Sequence, residues 1–190
     1  MAMRFEMDEV LHILISVITI SITFSLFNEQ AGFWLILCTL GLGFILHELG
    51  HKFVAQSYGA YAIYRAWWIG LLIAIGLAIV TEGKFIFAAP GAVVIYGRHL
   101  TQEQNGRISI AGSSVNFVLA LVFLSIAYAG NGYEMLGRTG AYINAFLGAF
   151  NMIPIYPLDG QKVQMWSESA WLAIVVLCWG LLFLMMFGIV

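Results

Sequence analysis

The chain has 190 residues, of which 62% are hydrophobic and 9% charged, with a formal net charge of −2. Soluble domains are about 45–50% apolar and about 25% charged, and disordered chains are poorer still in apolar residues. Both classes are excluded, and the composition is that of an integral membrane protein. No basic stripe exists for a nucleic-acid partner. Two cysteines, Cys38 and Cys178, lie in separate apolar segments and read as buried, inert thiols.

A membrane-crossing helix needs roughly 20 apolar residues. The first candidate is 10–27, preceded by a leader that mixes Arg4 with Glu6, Asp8 and Glu9. Its length and the lack of a small-residue cleavage site make it a retained span, not a signal peptide. The second is 32–58, with His47, Glu48, His51 and Lys52 in its C-terminal third. Residues 66–80 are apolar but too short for an ordinary span, and 85–96 is β-branched and split by Pro90-Gly91. Thr81-Glu-Gly83-Lys84 is a turn signal between them. The expectation is a helix–strand hairpin that enters the membrane, leaves on the same face and lines a cavity. The next span is 108–129, with Asn116 near its start. Another is 141–157, whose apolar part gives way to a tail broken at Pro154 and Pro157; the last is 170–190, with Ser167 as N-cap. No internal repeat is visible, which argues against an inverted-repeat transporter. The predicted fold is an all-α polytopic membrane protein. It forms a single domain over 1–190, with five to six transmembrane helices and a re-entrant helix/β-hairpin region between the second and third full spans.

Chemistry is concentrated in His47-Glu48-Leu49-Gly50-His51, an H-E-x-x-H sequence. On a helix, residues i and i+4 share a face, so two imidazoles can hold one Zn²⁺ while the glutamate addresses a water. The bland alternative pairs Glu48 with Lys52 at i+4 and turns both histidines to backbone carbonyls. Ionisable residues inside a span are costly and point to function. Catalytic zinc takes three protein ligands, and Asp159 is the best candidate for the third. Sequence physics leaves it two roles, as a ligand or as a helix-end carboxylate facing water.

His47-Glu-Leu-Gly-His51 followed by Asn151-Met-Ile-Pro154-Ile-Tyr-Pro157-Leu158-Asp159-Gly160 resembles the site-2 protease family of intramembrane zinc metalloproteases. The likeness is to a minimal form without a PDZ or other accessory domain. It implies that His47, His51 and Asp159 bind one Zn²⁺ and that Glu48 is the catalytic acid/base. A third element, Gly112-Ser113-Ser114-Val115-Asn116, resembles the family's Gly-Pro-x-x-Asn with serine in place of proline. Asn151 and Asn116 are the candidate substrate or oxyanion amides; packing against neighbouring helices is the competing role of each.

Antiparallel spans bring the three motifs to one membrane face. Seven of the eight Lys/Arg residues fall on that face if the hairpin is shallow, and only Arg138 lies opposite. Lys/Arg excess marks the cytoplasm. The expected location is therefore the cell membrane, with the active site nearer the cytoplasmic face and the N-terminus inside. The expected partners are the lipid bilayer and a transmembrane protein substrate, cut within or beside its span. Such a helix must unwind to be cut. Phe85–Phe87 or Val93–Tyr96 could hold it extended by strand addition. His12 and His99 lack metal-spaced partners and are assigned to the interface. Two other readings compete with this one. A metal-binding transporter or channel would spread polar residues through several spans. A prenyl-protein-type zinc peptidase would take a downstream glutamate (Glu103, Glu134 or Glu168) as third ligand.

Overall fold

The computed structural model describes residues 4–26, 32–83, 90–96 and 99–190. Helix α1 (Met7–Leu26) is followed by α2 (Phe33–Ile36), a π-helical turn (Leu37–Gly41) and α3 (Leu42–Ser57), which run on as one rod. Strand β1 (Tyr61–Ala66), helix α4 (Trp68–Val80) and strand β2 (Gly91–Tyr96) come next. Then follow α5 (Gln102–Tyr128), α6 (Glu134–Asn151), α7 (Asp159–Trp166) and α8 (Glu168–Met186).

Four helices are long and apolar enough to cross a membrane: Met7–Leu26, Phe33–Ser57, Gln102–Tyr128 and Glu168–Met186. The expected five to six are thus not all present by this measure. Helix α4 has 13 residues, which reach only about 20 Å at 1.5 Å per residue. Helix α6 is diluted by Glu134, Arg138, Asn144 and Asn151. It still packs at the centre of the bundle, because small residues admit close neighbours. A methyl group at Gly140 would collide with the Phe123 ring of α5.

Helix ends depart from the hydropathy boundaries where local chemistry overrides them. Helix α5 starts six residues before the predicted 108, at a capping box of Thr101 and Gln104. Helix α6 stops at Asn151 rather than running to 157, and turns carry the chain past Pro154 and Pro157 to α7. Ser167 caps α8 as expected, accepting from the Ala170 N–H at 3.2 Å. Cys178 is buried, but Cys38 is exposed on the outside of its helix, contrary to the expectation of two buried thiols.

The region between the second and third full spans holds the largest difference. Strand β2 does not fold back on the helix before it. It pairs antiparallel with β1, Tyr61 opposite Tyr96 and Ala66 opposite Gly91, with α4 inserted between the two strands. Residues 85–87, the other candidate edge, lie outside the described residues. Buried Ala55, Ala60, Ala62 and Ile108 form the small core that seats this sheet on α3 and α5.

Candidate active site

Helix α3 projects His47, Glu48 and His51 inward, at 5%, 8% and 9% exposure. Helix α7 begins at Asp159, which is equally buried. The prolines at 154 and 157 end α6, and Gly160 lets α7 start directly against the Met152 carbonyl, where a Cβ would collide. Three donor atoms converge. His47 Nε2 and His51 Nε2 are 3.0 Å apart, and Asp159 Oδ2 lies 3.4 Å from the first and 3.0 Å from the second.

This triangle fits zinc. Bonds of about 2.0–2.1 Å in tetrahedral geometry separate neighbouring donors by about 3.3 Å. Two imidazoles and a carboxylate are a known catalytic donor set, and three ligands leave a fourth position open. Lys162 Nζ holds the other oxygen of Asp159 at 3.3 Å, so Oδ2 is the one turned to the histidines.

Each histidine is fixed from behind. His51 Nδ1 lies 2.8 Å from the Ile108 carbonyl, and His47 Nδ1 lies 2.6 Å from Asn116 Oδ1. Both acceptors favour a proton on Nδ1, which leaves the Nε2 lone pairs facing the centre. Asn116 differs here from its expected substrate or oxyanion role. It is fully buried, and its Nδ2 donates to the Gly43 carbonyl at 3.2 Å and to Asn144 Oδ1 at 3.0 Å. Its hydrogens are committed, so it supports His47 and has no donor left for a substrate. Asn151 sits half-buried at the end of α6. It gives one amide hydrogen to the Leu147 carbonyl at 3.0 Å, and its second hydrogen meets no partner among the described residues.

Gly112 was noted in the sequence only as part of a motif; its role is steric. A methyl group there would lie 2.6 Å from His47 Nε2 and from His51 Cε1, so only glycine lets α5 close over the imidazoles.

Glu48 is not paired with Lys52. Its Oε2 accepts the backbone N–H of Val93, on β2, at 3.0 Å. Lys52 is wholly buried and bonds Glu9 of α1. His12 is also not a bystander, since its Nδ1 accepts the Ala66 N–H at 3.2 Å. The i+4 spacing hid the first partner; nothing local in the sequence signalled the second.

Two histidines and a glutamate that could hold a metal ion, carried on one membrane-crossing helix, point to the class of membrane zinc proteases. Known relatives agree. The chain is 42% identical to MJ0611 of Methanocaldococcus jannaschii over 188 residues, covering 97% of each chain. It is 31% identical to MJ0392 of the same organism over 77% of this chain and 38% of that one. It is 26% identical to Rip2 of Mycolicibacterium smegmatis over 68% of this chain and 53% of that one. MJ0392 is named a zinc metalloprotease; the names of MJ0611 and Rip2 assign them to that class provisionally. No family model matches the chain, and no solved structure matches it. The chain belongs to the site-2 protease family. Its metal is Zn²⁺, and it is a multi-pass membrane protein.

Proposed function

We propose that this protein is an intramembrane zinc endopeptidase of the H-E-x-x-H type that cuts membrane-anchored proteins within or beside their spans. The observation that carries the reading is that Glu48 clusters with His47 and His51 and also accepts the Val93 N–H of a strand edge. One carboxylate thus adjoins both a metal site and a peptide-binding geometry.

His47, His51 and Asp159 would hold Zn²⁺, which would supply the Lewis acidity that polarises a scissile carbonyl and activates water near neutral pH. Glu48 accepts a proton from the attacking water and delivers it to the leaving amine. The peptide C–N bond breaks, one fragment leaves with the new carboxylate and the other with the amine. Asn151 offers its free amide hydrogen to the developing oxyanion. Asn116 holds His47 in the tautomer that leaves Nε2 unprotonated.

The substrate span has to unwind, because a helix hides its carbonyls in internal hydrogen bonds. Strand β2 offers the unwound segment an edge for strand addition. The N–H of Val93, now on Glu48, lies on that edge. The protein sits in the cell membrane with its N-terminus and its catalytic face toward the cytoplasm, a reading supported by the Lys/Arg distribution. Asp159, and no downstream glutamate, meets the two histidines, which favours this reading over the prenyl-protein type. The test is cleavage of a single-span substrate in liposomes by Asp159→Ala, with zinc measured alongside. Loss of both metal and cleavage is expected. Full zinc occupancy would give the third ligand to another residue.

A further inference from the structure

A two-stranded sheet has two edges, each a row of N–H and C=O groups open to an added strand. The Trp67 N–H donates to the Pro90 carbonyl at 3.0 Å, which fixes the alternation of the antiparallel ladder. By that alternation Ala62, Tyr64 and Ala66 turn their backbone groups outward on β1, and Gly91, Val93 and Ile95 do so on β2.

The two edges are treated differently. On β1 all three outward residues meet side chains. The Tyr64 N–H donates to Glu9 Oε1 at 2.8 Å and the Ala66 N–H to His12 Nδ1 at 3.2 Å. The Ala62 carbonyl accepts from Gln56 Nε2 at 3.3 Å. Glu9 and His12 are three apart on α1, hence on one face. Ser16 continues that face, donating to the Pro90 carbonyl at 3.1 Å and accepting from the Tyr64 hydroxyl at 2.9 Å. On β2, among the described residues, only the Val93 N–H is met, and its partner is Glu48.

Glu9 has 1% exposure, so its carboxylate needs a counter-charge. Lys52 supplies it from α3, one residue after His51. The edge contact is thereby tied to the helix that carries the metal ligands.

We propose that Glu9 and His12 are positioning residues that cap the outer edge of β1 and hold the sheet so that a substrate segment added to β2 arrives beside Glu48. This rests on the strand-addition reading above. The cap fixes the sheet against α1 and so holds the β2 edge in place beside the catalytic carboxylate.

The test separates the hydrogen bond from the charge. In Glu9→Gln with Lys52→Met, the buried charges go and the acceptor for Tyr64 stays. In Glu9→Leu with Lys52→Met, the acceptor goes as well. Zinc content, KM and kcat are measured on a single-span substrate in liposomes. The leucine double variant is expected to keep its zinc and raise KM about tenfold with kcat within about twofold, the size of one lost hydrogen bond. The glutamine double variant returns KM to within about twofold of wild type. His12→Leu, which leaves the buried pair intact, raises KM severalfold and serves if a double variant does not fold. Ile95→Pro removes an outward N–H of β2 without loss of a ladder bond and should also raise KM. If Ile95→Pro raises KM while the leucine double variant and His12→Leu match wild type, the cap is refuted and strand addition stands. Equal impairment of both double variants refutes the cap in favour of the charge. An unchanged KM in Ile95→Pro removes strand addition and the cap with it.

Discussion

Replacing Gly112 by alanine puts one methyl group where the structure has least room. The added carbon would sit 2.6 Å from His47 Nε2, His47 Cε1 and His51 Cε1. Ordinary contact begins at about 3.4 Å, so a separation of about 0.8 Å must be found. Neither imidazole can move freely, since Asn116 and the Ile108 carbonyl hold their Nδ1 atoms. Metal–ligand distances tolerate only about 0.2 Å. Losing a partner behind a ligand costs about 10–100-fold in metal affinity, and displacement of two ligands exceeds that. Gly112→Ala is therefore expected to lower zinc affinity by at least about 100-fold. It should also lose about 1–3 kcal/mol of stability to overpacking. Chelator competition measures the first and thermal unfolding in detergent the second. Wild-type zinc affinity in this variant would show that α5 does not close over the imidazoles.

Three further outcomes are expected. Asn116→Ala should weaken zinc binding about 10–100-fold while the protein stays folded, read by the same chelator competition. Lys52→Met alone leaves Glu9 buried without its counter-charge and should cost about 3–5 kcal/mol in detergent unfolding; adding Glu9→Gln should recover most of it. A strong chelator should abolish cleavage, and Zn²⁺ in slight excess should restore it; Mg²⁺, which prefers all-oxygen octahedral sites, should not.

The candidate metal cluster is legible in the sequence because it is local or costly. His47, Glu48 and His51 share one helix face by spacing alone, and Asp159 follows two prolines that end a helix. What escapes is long-range. Asn116 meets His47 across 69 residues and Lys52 meets Glu9 across 43; side-chain spacing along one helix offered Lys52 the wrong partner. Strand β1 carries Tyr61-Ala-Ile-Tyr-Arg-Ala66, too weak an alternation to stand out beside apolar helices. Its partner β2 lies beyond the whole of α4. Hydropathy also blurs helix ends, which capping at Thr101 and the turns after Asn151 decide. Charge in an apolar chain was informative in both directions. Buried Glu48 and Asp159 lie at the candidate metal site, and buried Glu9 and Lys52 hold the sheet beside it.

The most direct measurement is cleavage of a single-span substrate in liposomes by Glu48→Gln, with bound zinc determined on the same sample. The substitution keeps the shape and an acceptor for the Val93 N–H but removes the base. The account predicts full zinc occupancy and a rate lowered at least about 100-fold. Cleavage at the wild-type rate with zinc in place would contradict it.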